Sequence, residues 1–148
     1  MKIIIYTDGA CSGNQHKTNK GGWGALLMQG DYHKEIFGGE INTTNQRMEI
    51  MACIQAMNTL KNDNFPIEIY SDSAYVVNCI NQKWYANWER NGWKNAKKQA
   101  VENKDLWEAL LQQTRKYNVT FYKVKGHSGD VYNEKADALA QRGIDSLK

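Results

Sequence analysis

The sequence predicts one α/β domain with a mixed β-sheet, and three patterns predict it. The first is a continuous apolar run over residues 3–6, which is typical of a buried central strand. The second is a change from strand-like to helical spacing of the apolar residues after residue 44. The third is the segment order, three strands and then helices alternating with strands, which favours an antiparallel meander extended by parallel strands through helical crossovers.

The meander is predicted within the first 41 residues. A strand at residues 3–7 runs into Asp8, and a second strand near residues 21–28 can fold back on it as a hairpin. Residues 32–41 predict the third antiparallel strand, which its two internal glycines weaken.

A helix is predicted over residues 44–61, where apolar residues recur at i, i+3, i+4 and i+7. Thr43 and Gln46 match a capping box at its start. A strand follows Pro66 and ends at Asp72, and the next helix should turn Val76, Cys79 and Ile80 inward. A helix over 101–117, a strand over 119–124 and a helix over 131–142 that ends at Gly143 complete the prediction.

Composition restricts the function classes. With 148 residues and 41% hydrophobic residues, we expect a single domain spanning 1–148. No apolar run reaches membrane-span length and Asp8 interrupts the amino-terminal one, so we expect a soluble, cytoplasmic protein. We also expect a monomer. The three cysteines lie in no metal-binding spacing, which favours reduced thiols that fill the core.

A basic aromatic segment, residues 82–104, carries six Lys or Arg residues against two Glu. Its charge of +4 exceeds the +3 of the whole chain, a distribution typical of polyanion binding. Trp84, Trp88 and Trp93 lie among these cations. Aromatics at this spacing more often serve internal packing, but the cations between them make stacking on bases and phosphate contact credible, and the two interpretations do not exclude each other.

Four carboxylates are candidates for one site. Asp8 and Asp72 lie at strand ends, whereas Glu49 and Asp137 lie on the borders of apolar helix faces. Taken alone, each has an ordinary explanation: Asp72 as a helix N-cap, Glu49 and Asp137 as surface acids. Gathered at one sheet edge they would repel, so they require divalent cations, and all-oxygen ligands favour Mg²⁺ or Mn²⁺. Two such ions would support phosphoryl transfer to water.

The sequence resembles the type 1 ribonuclease H family over nearly its whole length. The shared motifs are YTDG (6–9), GWG (22–24), TTNQRME (43–49), SDS (71–73), KGHSG (125–129) and NEKAD (133–137). The resemblance implies a ribonuclease H-like fold with a five-stranded sheet. It also implies endonucleolytic cleavage of the RNA strand of RNA/DNA hybrids, which leaves 5′-phosphate and 3′-hydroxyl ends.

The resemblance also assigns roles. Asp8, Glu49, Asp72 and Asp137 would be the metal-binding carboxylates, with two Mg²⁺ ions per site when substrate is bound and Mn²⁺ as an alternative. His127 would assist proton transfer or product release, although a loop histidine bonded to backbone is its ordinary explanation. The residues implied in substrate binding are Asn14, Thr44, Asn45, Trp84, Trp88, Trp93, Lys97 and Lys98.

Two features depart from the family, and two other functions compete. Residues 15–20 form a longer polar loop where the family often has a short turn, and Ala74 lies where many members carry a glutamine.

The alternatives are a non-catalytic hybrid-binding module and another metal-dependent nuclease of the same fold. The presence of all four acids argues against a module that only binds the hybrid, because carboxylates beside a phosphate would weaken that binding.

Overall fold

Five strands and five helices follow one another in the residues that the computed structural model describes, which are 2–13, 19–61, 64–125 and 130–147. In chain order they are β1 (Ile3–Ser12), β2 (Lys20–Gln29), β3 (Tyr32–Ile41), α1 (Asn45–Asn58), β4 (Ile67–Ser71), α2 (Ala74–Asn81), α3 (Trp84–Arg90), α4 (Lys104–Lys116), β5 (Val119–Lys123) and α5 (Val131–Asp145). The predicted alternation of strands and helices is confirmed.

The strands form one mixed sheet in the order β3-β2-β1-β4-β5. β1, β2 and β3 pair antiparallel, and β4 and β5 join them in parallel. The parallel pairing of β1 with β4 stops at Thr7 and Ser71, whereas β1 continues along β2 as far as Ser12. Asp8 therefore lies inside β1, not at its end as predicted, at the first position that β4 no longer covers.

Helices cover both faces of the sheet. Ile5 and Ile69 belong to a core that α1, α2 and α4 complete, with Trp107 of α4 fully buried in it. Alternate residues point the other way, and a Cβ at Gly24 of β2 would lie 2.5 Å from Leu139 of α5. α1 and α5 thus approach the sheet from opposite faces, and the four predicted acids come from elements on both.

Two helix starts differ from the prediction. The N-cap of α1 is Thr44, whose side chain accepts from the Arg47 N–H, so the predicted cap Thr43 is wrong. The N-cap of α2 is Ser73, which accepts from the Val76 N–H, so Asp72 does not cap this helix. In both cases the residue next to the predicted cap has the extended backbone that a cap needs.

The last helix runs past its predicted end. α5 continues to Asp145, and Gly143 lies within it. A Cβ at Gly143 would lie 2.0 Å from the Gly38 carbonyl oxygen of β3. This glycine allows the helix to pack closely on the sheet and does not terminate it.

Two of the three cysteines lie in the core, as the sequence predicted. Cys53 and Cys79 are buried, and burial raises the pKa of each thiol to about 12, as expected of core-filling cysteines. Within the described ranges, none of the helices combines the length and the apolar composition that crossing a membrane requires.

Candidate active site

Three carboxylates converge at the edge of the sheet where β4 ends. Asp8, Glu49 and Asp72 each place an oxygen within 4.8 Å of the others. Asp137 of α5 lines the same cavity, about 410 Å³ in volume, and contributes to the raised pKa of Asp8. The structure therefore brings together all four acids that the sequence singled out, from β1, α1, α5 and the residue after β4.

Close packing between β1 and α1 fixes one side of this cluster. Gly9 follows Asp8, and a Cβ at Gly9 would lie 2.4 Å from the Glu49 backbone nitrogen. Any larger residue would push the first turns of α1 away from the strand. Glycine at this position thus brings Glu49 beside Asp8, and the Gly9 N–H donates to Asp8 Oδ1 at 2.9 Å.

Burial makes the negative charges of this cluster costly. Asp8 is 5% exposed and Glu49 is 6% exposed. Burial, followed by the charge of Asp72 and the interaction with Asp137, raises the pKa of Asp8 to about 8. Burial, followed by the charges of Asp8 and Asp72, raises the pKa of Glu49 well above its ordinary range. Near neutral pH the cluster favours either bound protons or a bound cation.

The donor set fits a divalent metal ion. Glu49 Oε1 is buried and has no hydrogen-bond partner among the described residues, although such an atom ordinarily has one. Carboxylate oxygens are the ligands that Mg²⁺ and Mn²⁺ prefer. A cation in the cavity would satisfy this oxygen and neutralise the repulsion that raises the pKa values.

Comparison with known proteins decides the family. Residues 1–145 match the RNase H family. The chain belongs to the RNase H family. A ribonuclease H of Syntrophomonas wolfei is 56% identical, with 99% of this chain and 98% of that protein covered. A ribonuclease H of Chlorobaculum parvum is 55% identical, with 96% and 94% covered.

A solved structure extends the likeness to the fold. The crystal structure of LC9-RNase H1, a type 1 RNase H with the type 2 active-site motif, is similar with a TM-score of 0.85 and 29% identity. The match covers 99% of this chain and 73% of that chain. The predicted ribonuclease H-like fold and family are confirmed, and members of the RNase H family are nucleases.

Asn133 lines the acid cavity of this RNase H domain and was not among the site residues predicted from the sequence. It is 4% exposed, and its buried Oδ1 has no hydrogen-bond partner among the described residues. It precedes Asp137 by four residues, one turn along α5. That spacing on one helix face was the available indication, but an Asn at a helix start more commonly serves local capping.

The polar residues implied in substrate contact differ in their position relative to the acid cavity. Asn45 begins α1 and lines the acid cavity, and Thr44 lies beside it, exposed, with its hydroxyl oxygen capping the helix. Ala74 also lines the cavity, at the first position of α2. Asn14 and His127 lie outside the described residues.

The basic aromatic segment forms a second cavity, separate from the acids. This cavity, of about 540 Å³, is lined by Trp84, Trp88 and cations that include Arg90 and Lys94. Trp88 contacts Trp93 at 5.9 Å between ring centroids, and all three indoles are half-buried. The indoles thus pack on one another while Trp84 and Trp88 also line a cavity, and stacking on bases stays a prediction. Lys97 and Lys98 are exposed in the loop after α3.

Proposed function

We propose that this chain is an endonuclease that hydrolyses the RNA strand of RNA/DNA hybrids with two Mg²⁺ ions, which leaves 5′-phosphate and 3′-hydroxyl ends. Membership of the RNase H family supports the activity and the substrate. The proposed metal dependence rests on the three-carboxylate cluster, whose oxygens lie within 4.8 Å of one another.

The proposed roles of the acids follow from their positions. Asp8 and Asp72 extend from adjacent parallel strands, so the sheet holds their separation rigid. Glu49 and Asp137 approach from helices on opposite faces and complete the ring of oxygen donors. Divalent cations bound there would activate a water and stabilise the leaving oxygen of a phosphodiester. Because the cluster is buried, the protein itself contributes by holding these side chains in a fixed orientation and by restricting the access of solvent.

Recognition of the hybrid is proposed to use two further groups of residues. Asn14, Thr44 and Asn45 would contact the minor groove and a nearby DNA phosphate, where 2′-hydroxyls distinguish RNA from DNA. Trp84, Trp88, Trp93, Lys97 and Lys98 would hold the DNA strand by stacking and phosphate contact. His127 would assist proton transfer or product release.

One gel assay tests the proposal. The protein is incubated with Mg²⁺ and a long RNA/DNA hybrid, duplex RNA, duplex DNA or single-stranded RNA. We expect internal cleavage of the hybrid's RNA strand alone, with 5′-phosphate products. Binding of the hybrid without cleavage would favour a non-catalytic module, and cleavage of duplex DNA would favour another nuclease of this fold.

We propose further that the chain is a single catalytic domain over residues 1–148 that acts as a cytoplasmic monomer. All four acids of the cavity come from one chain, so the site requires no second copy. Size-exclusion chromatography with light scattering should give the 17.0 kDa mass of one chain. A stable dimer would contradict the monomer.

A further inference from the structure

A hydrogen-bonded junction centred on Tyr75 joins the acid cavity to the basic aromatic segment. Tyr75 lies in the first turn of α2, three residues after Asp72, and lines the acid cavity. Its hydroxyl oxygen accepts from Trp107 Nε1 at 2.9 Å and from Asn103 Nδ2 at 3.3 Å. Trp107 and Asn103 belong to α4 and to the residue before it, where the basic aromatic segment returns to the core.

The same junction reaches α1. Arg47 donates from Nη1 to Asn103 Oδ1 at 3.3 Å, and it pairs with both carboxylate oxygens of Asp105 at 3.0 and 2.9 Å. Arg47 precedes Glu49 by two residues. α1, which carries Glu49, and α2, which begins two residues after Asp72, are thus tied to the start of α4 through Asn103, whose backbone is left-handed with φ of 64°.

Aromatic contacts continue from the junction into the basic aromatic segment. The Tyr75 ring lies 5.4 Å from the Trp107 ring and 6.5 Å from the Trp84 ring. The Trp107 ring lies 6.2 Å from that of Trp88, which contacts Trp93 in turn. An unbroken series of ring contacts therefore connects the wall of the acid cavity to the indoles among the cations.

We infer that Tyr75 is a positioning residue, which fixes the basic aromatic segment relative to the acid cluster and thereby sets the affinity for the hybrid. Both lone pairs of its hydroxyl oxygen are engaged by donors of α4 and the residue before it. Trp107 is fully buried, so its N–H needs that acceptor. The inference rests on the proposed function, because it assigns the segment to hybrid binding.

Tyr75→Phe tests the inference, because it keeps the ring contacts and removes the acceptor. Steady-state kinetics on the hybrid should show KM raised about three- to tenfold, with kcat changed less than twofold. In a Lys97→Ala/Lys98→Ala background the same substitution should change KM less than twofold, because its effect passes through the segment's cations. Tyr122→Phe, a half-exposed tyrosine on the sheet, is the matched control and should behave as wild type.

A purely structural role would lower the unfolding temperature of Tyr75→Phe and leave KM unchanged, which would overturn the inference. An equal KM effect in both backgrounds would also overturn it, since Tyr75 would then act within the acid cavity. If Tyr75→Phe does not fold, Trp107→Phe removes the same bond from the donor side and should reproduce the KM change. Failure of the proposed function is separately visible, as absence of hybrid cleavage by the wild-type protein.

Discussion

The acid cluster and the basic aromatic segment carry opposite charges in opposite environments. Asp8 and Glu49 are almost fully buried and held by β1 and α1, whereas Lys97 and Lys98 are exposed on a loop. Burial amplifies the interactions of a charge, while water and salt screen an exposed one. We therefore expect changes in the cluster to act strongly on turnover, and changes in the segment to act modestly on affinity.

The largest expected effect is that of Asp72→Asn. The amide keeps the size of the carboxylate and removes the charge that a cation needs, so kcat should fall by at least about 1,000-fold. Hybrid binding, measured by fluorescence anisotropy, should stay within about threefold of wild type, because a lost anion does not weaken phosphate contacts. Asp31→Asn, an exposed acid in the turn between β2 and β3, is the matched control. An active Asp72→Asn protein would refute the metal site.

A smaller effect is expected from Lys97→Ala/Lys98→Ala. Loss of two exposed cations should raise KM about tenfold at about 0.1 M salt and leave kcat within twofold. The slope of log KM against log salt concentration should become shallower by one to two. Lys34→Ala/Lys61→Ala removes the same charge from another surface and should leave KM unchanged. Equal effects of the two double variants would show that only net charge matters.

The smallest effect concerns backbone strain in the segment. Lys98 has a left-handed backbone with φ of 61°, which glycine adopts without steric cost. Lys98→Gly should raise the free energy of unfolding by about 0.5 to 1 kcal/mol in urea titrations. Lys97 is outside this conformation, so Lys97→Gly should give no gain. A stabilised Lys97→Gly protein would mean that the strain does not lie at Lys98.

The sequence predicted the mixed sheet well because the strand and helix periodicities are clear. β3 matches its predicted bounds, and the parallel addition of β4 and β5 is confirmed. Caps and ends were less predictable: Thr43 and Thr44 are equally good caps by composition, and only the backbone selects Thr44. Gly143 resembled a helix end because local sequence does not reveal that β3 packs against it.

Prediction of the candidate site depended on the order of all four acids and their motifs along the chain, and not on any one residue. Glu49 alone was best explained as a surface acid, yet it is buried, because the glycine after Asp8 lets α1 approach β1. No local pattern encodes that long-range contact. The Tyr75 junction was invisible for the same reason, since its hydrogen bonds join residues 28 and 32 positions apart.

A divalent cation is proposed to bind the buried carboxylates and to balance their charge. Because the pKa of Asp8 is raised from 3.8 to about 8, the folded metal-free protein binds more protons than the unfolded chain between these pH values. The stability that this group contributes is fully present below about pH 4 and is lost as the pH rises through this window, by up to about 1.4 kcal/mol per pH unit.

The most direct measurement is the unfolding temperature as a function of pH, with and without Mg²⁺. Mg²⁺ competes with protons for the carboxylates, so saturating Mg²⁺ should raise the unfolding temperature by about 5 °C or more at pH 8 and by little at pH 5. Asp8→Asn should lose most of the Mg²⁺ response and part of the pH dependence, because burial still raises the pKa of Glu49. An unfolding temperature at pH 8 that is the same with and without Mg²⁺ would mean that these carboxylates do not bind the cation.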